Sequence, residues 1–423
     1  MKISRRQFVK AMAAMSAASM LAACGGNSGS GSSGGKKALT FQIWDVAQKE
    51  GMEAMCAAYT QQHPEVSIEV QVTSWNEYWT KLEAAATSNQ MPDIFWMHTN
   101  EILKYADNGM LADCSDIVEK DKFSEISLSN AMGSNGTLYA VPKDKDTVGL
   151  VYNKEMFDAA GVAYPDENWT WDDLVSASEK IYAATGKYGY MAYADDQLGY
   201  WNFVYQAGGY ILNEDKTKAG FTQPATERAM KFYIGLQQND WCPDQTYFAE
   251  TAPGTAFFSE KGAMFLEGDW NILAELQNYP EMVGKWDVAV LPKCPDPESG
   301  DGRATISNGL CYATAASNKN LDTVKDILKF FGNEEGQRIQ GESGAAIPAY
   351  QGLEDTWAGC FAEYPINIQC FIEMFEYSIQ SVNNASRPEW KSKVNDELLK
   401  IYAGTEDIET GLQKMQDIVD QAS

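Results

Sequence analysis

Leu39-Thr-Phe-Gln-Ile-Trp44 is the stretch that decides the fold, because its apolar and polar residues alternate as they do in a β-strand. Apolar residues then recur at three-to-four-residue spacing from Met52 to Tyr59, which predicts a helix that His63-Pro64 ends. A second alternating strand runs from Val66 to Val72. Strand, helix and strand in this order predict a parallel sheet covered by helices.

The same alternation continues along the chain. A helix pattern from Trp75 to Asn89 leads to the short apolar strand Pro92-Asp-Ile-Phe-Trp96, and a further strand is predicted at Gly149-Leu-Val-Tyr-Asn153. Thr170 and Asp173 have the spacing of a helix capping box. Other predicted helices cover Thr226 to Asn239, Leu321 to Phe331 and Glu389 to Tyr402. These patterns predict an α/β fold throughout, in two sheets.

Residues 1–24 have the layout of an export signal, in which a basic start precedes an apolar stretch from Ala11 to Ala23. Ser4 to Lys10 resembles a twin-arginine signal, and Leu21-Ala22-Ala23-Cys24 resembles a bacterial lipobox. An amphipathic first helix of a cytosolic domain is the alternative. The patterns predict that Cys24 is lipidated, with palmitate among the acyl groups.

Residues 25–37 are nearly all Gly, Ser and Asn before two lysines, which predicts a flexible tether. No later stretch has the apolar length of a membrane span. We therefore expect an extracytoplasmic domain that is lipid-anchored to the cell membrane, at the outer face or in the periplasm.

The composition of the chain limits the chemical class of its ligand. The chain has a formal charge of −26, and the signal contributes only cations, so the remainder is still more acidic. Such a surface repels nucleic acid and anionic glycans, and it favours a neutral or weakly cationic ligand. Seven cysteines follow Cys24, an odd number with no C-x-x-C spacing, and the chain has two histidines. We therefore expect no metal site and no cofactor, and buried thiols with room for one or two disulfides.

Several later motifs share one order with a known family. They are Met91 to Asn100 followed by Asn108-Gly-Met-Leu111, Gly136 to Pro142, Gly149 to Lys154, Asn168 to Leu174, Gly262 to Trp270, and Ala346-Ile-Pro-Ala349. In their order and spacing, over nearly the whole chain after the tether, the sequence resembles the extracellular solute-binding proteins of sugar importers, the family that contains maltose-binding protein.

The resemblance implies a two-lobed periplasmic-binding-protein fold of type II, with a ligand cleft at the hinge. Lobe 1 is expected to hold residues 38–147 and 295–342, and lobe 2 residues 148–294 and 343–423. Ligand contacts from both lobes would favour a closed form, which presents a new surface to an ABC permease in the membrane. We expect the chain to act as a monomer.

A sugar site needs aromatic faces for C–H surfaces and planar polar groups for hydroxyls. Trp44 ends a strand, where parallel sheets place ligands, and the resemblance indicates polar ligands after Met97, where Thr99 and Asn100 are preferred over a structural His98. It also places an acidic ligand at Asp146, within a charge run that surface solvation would explain equally. The remaining candidates are Tyr200, Trp201, Asp269, Trp270, Asn308, Gly309 and Trp357.

Two other functions remain open at this point. A cell-surface glycan hydrolase would also need aromatic residues and carboxylates, but after the Gly/Ser tether the sequence contains neither G-x-S-x-G nor H-E-x-x-H. The same binding fold with a polyamine, metal or peptide ligand is the other alternative. The motifs favour a non-enzymatic protein that captures a neutral sugar or short oligosaccharide.

Overall fold

The chain has two hydrophobic cores, each built on its own β-sheet. The computed structural model describes residues 36–422. The predicted signal, Cys24 and the predicted tether up to residue 35 lie outside the described residues. No helix within residues 36–422 combines the length and the apolar character that crossing a membrane requires.

The strands are β1 (Lys37–Ile43), β2 (Val66–Val72), β3 (Ile94–His98), β4 (Val141–Pro142), β5 (Val148–Asn153), β6 (Tyr188–Tyr190), β7 (Gly262–Gly268), β8 (Trp286–Ala289), β9 (Thr305–Ser307), β10 (Leu310–Ala313) and β11 (Ser378–Gln380). The α-helices are α1 (Lys49–Gln62), α2 (Trp75–Thr87), α3 (Thr99–Ala106), α4 (Glu125–Ser129), α5 (Lys154–Ala160), α6 (Trp171–Thr185), α7 (Trp201–Gln206), α8 (Pro224–Leu236), α9 (Gln245–Glu250), α10 (Pro253–Phe258), α11 (Asp269–Asn278), α12 (Leu321–Gly332), α13 (Glu334–Glu342), α14 (Glu354–Ala358), α15 (Gln369–Glu373), α16 (Arg387–Tyr402) and α17 (Ile408–Ala422). Short 3-10 helices cover Lys120–Lys122, Pro280–Met282, Gly359–Phe361 and Met374–Tyr377, and a π-helical turn covers Asp196–Tyr200.

The first sheet has the strand order β2-β1-β3-β10-β4. β1 is parallel to β2 and to β3, as the strand–helix–strand pattern predicts, with Phe41 opposite both Val70 and Ile94. β10 runs antiparallel between β3 and β4. The predicted parallel arrangement thus holds for β1, β2 and β3, and the sheet as a whole is mixed because β10 arrives directly from the second core rather than through a crossover helix.

The second sheet has the order β6-β7-β5-β8, in which only β6 and β7 are parallel. β9 and β11 form a separate parallel pair, so the described chain holds three sheets where the sequence predicted two. The capping box before α6 is confirmed: Thr170 Oγ1 accepts the Asp173 amide, and Asp173 Oδ2 accepts the Thr170 amide at 2.9 Å. This exchange satisfies two of the amides that a helix start leaves without intrahelical partners.

The cores divide the chain somewhat differently from the predicted lobes. Ile306 packs in the second core although residues 295–342 were assigned to lobe 1. Ala349, Tyr350 and Leu353 pack in the first core although residues 343–423 were assigned to lobe 2. Side chains alternate between the cores where the chain crosses, so sequence position alone does not assign them, and the predicted boundaries stay a prediction.

Three chain segments connect the cores side by side, and we call them the crossing segments: residues 143–147, 307–310 and 347–349. The Lys143 amide donates to the Leu310 carbonyl at 2.8 Å, and the Ala349 amide donates to the Lys143 carbonyl at 3.2 Å. The Lys145 amide donates to the Ile347 carbonyl at 3.1 Å. Backbone hydrogen bonds therefore join the three segments into one hinge.

Six of the seven cysteines after the tether serve as buried apolar residues. No disulfide forms within residues 36–422, so the one or two for which the sequence left room are absent there, and the buried free thiols are Cys56, Cys114, Cys242, Cys294, Cys311 and Cys370. Burial raises the pKa of Cys114 and of Cys242 to about 12, which keeps both in the thiol form.

Trp357 belongs to the second core. It is 0 % exposed, and its ring centroid lies 4.7 Å from that of Phe361 and 6.4 Å from that of Phe371. We expect Trp357→Ala to lower the free energy of unfolding by about 3–5 kcal/mol, because it leaves a cavity in a packed core. Chemical denaturation measures this loss. Trp75→Ala is the control, since Trp75 is 43 % exposed; equal losses for the two variants would contradict this placement of Trp357.

Candidate functional site

A cavity of about 300 Å³ lies between the two cores at the crossing segments. Three strand ends supply much of its wall: Trp44 follows β1, His98 ends β3, and Trp270 follows β7. Ligands of α/β sheets bind at the carboxyl ends of strands, and this cavity occupies that position. It is lined by Trp44, Asp45, Gln48, Trp75, His98, Asn100, Asp144, Asp146, Asp195, Asp196, Gln197, Leu198, Asp269, Trp270, Leu310, Ala346 and Lys391.

Indole rings form much of the apolar part of the wall. Trp44 makes edge-to-face contacts with Trp75 and Trp96, each at a centroid distance of 5.0 Å, and with Tyr78 at 4.9 Å. Because neighbouring rings hold Trp44 on several sides, it presents a rigid surface to the cavity. Trp75 is 43 % exposed and extends this surface towards solvent.

Trp270 supplies a third indole from the other core. It stands in the first turn of α11, directly after the buried pair Gly268 and Asp269. A Cβ atom added to Gly268 would overlap the Trp270 ring. The glycine therefore allows the indole to lie against the backbone, which fixes its position on the cavity wall.

His98 and Asn100 join strand β3 to helix α3. His98 caps the helix, since its Nδ1 accepts the Asn100 amide at 3.1 Å, and its ring also lines the cavity. Burial, together with the charges of Arg387 and Lys391, lowers the pKa of His98 to about 3, so the ring is neutral and its Nε2–H is a donor. His98 therefore has the structural role that was predicted, as a helix cap, and it also lines the cavity. Asn100 Oδ1 is buried and lacks a hydrogen-bond partner among the described residues.

Asp146 ties two crossing segments together. Its Oδ1 accepts the Asn308 amide at 2.6 Å and its Oδ2 accepts the Gly309 amide at 3.2 Å. Burial raises the pKa of Asp146 to about 7 although the amide of Asn308 lowers it, and the charge of Asp144 adds to the rise. The carboxylate is therefore a hinge element that also lines the cavity, rather than part of a solvated charge run.

Asp196 is compensated by cations. Its Oδ2 lies 2.8 Å from both Arg387 Nη2 and Lys391 Nζ. Burial opposes ionisation, yet the charges of Lys391 and Arg387 hold the pKa of Asp196 well below its usual range. Asp144 has a similar partner, because its Oδ2 lies 2.5 Å from Lys143 Nζ.

Asp269 has no such cation within residues 36–422. Its Oδ1 accepts the Thr147 amide at 2.9 Å, while its Oδ2 is buried with no hydrogen-bond partner in the part of the chain that the structure describes. Burial, followed by the charge of Asp146, raises the pKa of Asp269 well above its usual range. An orphan buried acceptor on a cavity wall is a position at which a ligand donor completes the hydrogen bonding.

Several predicted ligands lie away from this cavity. Thr99 Oγ1 donates to the carbonyls of Asn308 and Gly309. These three residues therefore stabilise the hinge by buried hydrogen bonds and do not line the cavity. The residues that pack in the second core instead of lining the cavity are Tyr200, Trp201 and Trp357. Trp201 supports the site indirectly, because Arg387 lies 4.7 Å from its ring centroid.

The structure thus brings together Trp44, Asn100, Asp146, Asp269 and Trp270 from the sequence-predicted set. Cavity residues that the prediction missed include Trp75, Lys391, Asp144 and Gln48. Asp144 shares its charge run with Asp146 and could have been added on that ground. Lys391 offered no signal, since it is one lysine on an ordinary helix pattern.

No group of three or more His, Cys, Asp or Glu side chains within residues 36–422 has an arrangement that could hold a metal ion. Each of the six aspartates of the cavity wall accepts a hydrogen bond from a backbone amide or pairs with a cation. Their arrangement offers hydrogen-bond acceptors to an organic ligand.

Comparison with known proteins agrees with this geometry. The family model for the bacterial extracellular solute-binding protein matches residues 44–338, more than half of the chain. The diacetylchitobiose-binding protein of Streptomyces coelicolor is 24% identical over 370 residues, which cover 83% of this chain and 84% of that protein. The galactooligosaccharide-binding protein of Bacillus subtilis is 25% identical over 348 residues, covering 79% and 78%.

Among solved structures, an ABC substrate-binding protein from Listeria monocytogenes in complex with cycloalternan has a TM-score of 0.81 at 22% identity, covering 91% of this chain and 98% of that one. This likeness confirms the predicted two-lobed periplasmic-binding-protein fold. The match of the family model settles the assignment: the chain belongs to the bacterial extracellular solute-binding protein family.

Proposed function

We propose that this chain is the substrate-binding component of an ABC importer and that it captures a sugar or short oligosaccharide in the cavity between its cores. The observation that carries the proposal is the pairing of three cavity indoles with the orphan acceptors Asn100 Oδ1 and Asp269 Oδ2. A sugar offers C–H faces and hydroxyl donors, which match these two kinds of surface.

The hinge supports a role in transport. A ligand that touches Trp44 on one core and Trp270 on the other contacts both sides of the crossing segments at once. Such a ligand binds the closed arrangement more tightly than the open one, and this difference in affinity drives closure. A closed form distinct from the empty form gives a permease something to recognise.

Family membership places the chain outside the cytoplasm. Attachment through a lipid on Cys24, with the residues between Cys24 and β1 as the tether, is part of the proposal. It would hold the binding domain close to its permease and raise the effective concentration of each for the other. We also propose that the chain acts as a monomer and without enzymatic turnover, as a carrier needs only affinity and a hinge.

The experiment that tests the proposal is a titration of the protein with a panel of mono- and oligosaccharides, followed by tryptophan fluorescence and thermal melting. Binding should change the fluorescence of the cavity indoles and raise the melting temperature. Release of reducing ends during incubation would instead identify a glycan hydrolase. A panel in which no sugar changes either signal would overturn the proposal.

Trp270→Ala should weaken the best sugar of that panel by about 2 kcal/mol, or roughly thirtyfold in Kd, because a stacking surface is lost. Calorimetric titration measures the change. Trp270→Phe is the matched control, since it keeps an aromatic face and should lose less. Unchanged affinity in the alanine variant would remove Trp270 from the site.

Gly268→Ala should also weaken sugar binding, because the new methyl group displaces the Trp270 indole from its position against the backbone. Gly235→Ala serves as the control, since a Cβ at Gly235 meets no atom within 4 Å and the residue lies inside helix α8. That control should keep full affinity and gain about 0.5–1 kcal/mol of stability. Equal affinities for the two variants would contradict the role assigned to Gly268.

A further inference from the structure

The cavity wall carries more carboxyl groups than its cations can neutralise. Six aspartates face the cavity: Asp45, Asp144, Asp146, Asp195, Asp196 and Asp269. Three cations stand on or directly behind the same wall: Lys143, Arg387 and Lys391. Since His98 is neutral, it does not reduce the excess.

The cations are not spread evenly over these carboxylates. Lys143 pairs with Asp144, and Arg387 and Lys391 pair with Asp196. The charge of Lys391 also acts on Asp195. No lysine or arginine among the described residues pairs with Asp45, Asp146 or Asp269.

The three uncompensated carboxylates differ in what they already bind. Asp45 is half-buried and accepts from the Ala47 amide at 2.8 Å and from Gln48 Nε2 at 3.1 Å. Asp146 accepts the two hinge amides described above. Asp269 is 1 % exposed and keeps one carboxylate oxygen, Oδ2, without any partner in residues 36–422.

Asp146 and Asp269 line the same cavity, and each lies within the electrostatic influence of the other. The Asp269 carboxylate accepts the amide of Thr147, the residue next to Asp146, and Asp146 is the charge that most perturbs Asp269. Two buried carboxylates this close repel each other, and a bound cation relieves that repulsion. The neighbouring indole faces of Trp44 and Trp270 are also favourable surfaces for a cation or for the C–H face of a sugar.

Building on the sugar-binding function proposed above, we propose that the cleft selects a saccharide with a protonated amine, whose ammonium donates to Asp269 Oδ2 beside Asp146. An ammonium has three donors and no acceptor, so it matches an orphan carboxylate oxygen next to a second carboxylate. A hydroxyl can also donate to Asp269 Oδ2, but it carries no positive charge that would favour the ionised forms of Asp146 and Asp269.

The test uses sugars that differ only at one carbon: glucosamine, glucose and N-acetylglucosamine, then the same three forms of galactose, mannose and the β-1,4-linked glucose dimer. Titrations are made with the full folded domain below the pKa of the sugar amine. In each set that binds, the amine should bind about tenfold more tightly than the hydroxyl and acetamide forms. Neutral sugars that bind as tightly as their amine forms would overturn the inference and leave the proposed function standing.

Other outcomes separate the two proposals further. If no sugar in any form binds, both the proposed function and this inference fail. If spermidine binds and none of the sugars does, the fold carries a polyamine and both proposals fail as well.

Asp269→Asn tests the residue itself. The asparagine keeps an oxygen for the Thr147 amide but removes the charge, so binding of the amine should weaken more than binding of the neutral sugars, and the preference for the amine should fall to less than about threefold. Asp45→Asn is the matched control, because its oxygens already have partners and it lies nearer solvent, and it should preserve most of the preference. A preference that survives in Asp269→Asn would overturn the assignment.

A second readout needs no variant. Burial and Asp144 hold the pKa of Asp146 at about 7, and a bound ammonium favours the ionised forms of Asp146 and Asp269. Binding of an amine sugar should therefore release protons, which calorimetry in buffers of different ionisation enthalpy detects. Added salt should also reduce the preference for the amine. Proton release equal to that of a neutral sugar would contradict the inference even if Asp269→Asn failed to fold.

Discussion

The hydrogen bonds from the Asn308 and Gly309 amides to the Asp146 carboxylate are the interaction on which the rest of the structure depends. They hold two crossing segments at a fixed separation, and that separation places β10 in the first sheet and β5 in the second. Burying a carboxylate is unfavourable unless its acceptors are satisfied. The two amides meet this need only partly, as the raised pKa of Asp146 shows. The hinge is therefore a place where backbone order is maintained against an electrostatic cost.

This cost has a counterpart in the cavity. A group that joins two lobes must lie between them, and so does the ligand, so the hinge carboxylate cannot be kept apart from the binding site. Asp144 and Asp196 are neutralised by fixed lysine and arginine side chains. Asp146 and Asp269 have no such partner among the described residues. A ligand that donates a hydrogen bond to Asp269 Oδ2 would also stabilise the hinge region. Ligand binding is thereby coupled to the relative position of the two lobes.

The candidate site shows which cavity residues could be predicted from residue type and position, and which could not. Trp44, Asn100 and Asp269 follow strand ends, and position after a strand predicts a place at the sheet edge. Trp201 and Trp357 were equally plausible as aromatic ligands, yet both pack in the second core. A tryptophan carries the same signal in both settings, because indole is apolar enough for a core and flat enough for a sugar. Lys391 reaches the cavity from helix α16, far along the chain, and only its pairing with Asp196 gives it a role.

The sequence by itself determined the α/β class, the positions of several of the longer helices, the capping box before α6 and the family, because all of these depend on local periodicity and on motifs in order. Only the tertiary structure decided the antiparallel course of β10 and β5, the alternation of Ile347 and Ala349 between the cores, and the grouping of charges around the cavity. These features arise where the chain crosses between lobes and brings distant residues together. Local patterns carry no information about such contacts, because the free energy that fixes them comes from partners more than a hundred residues away.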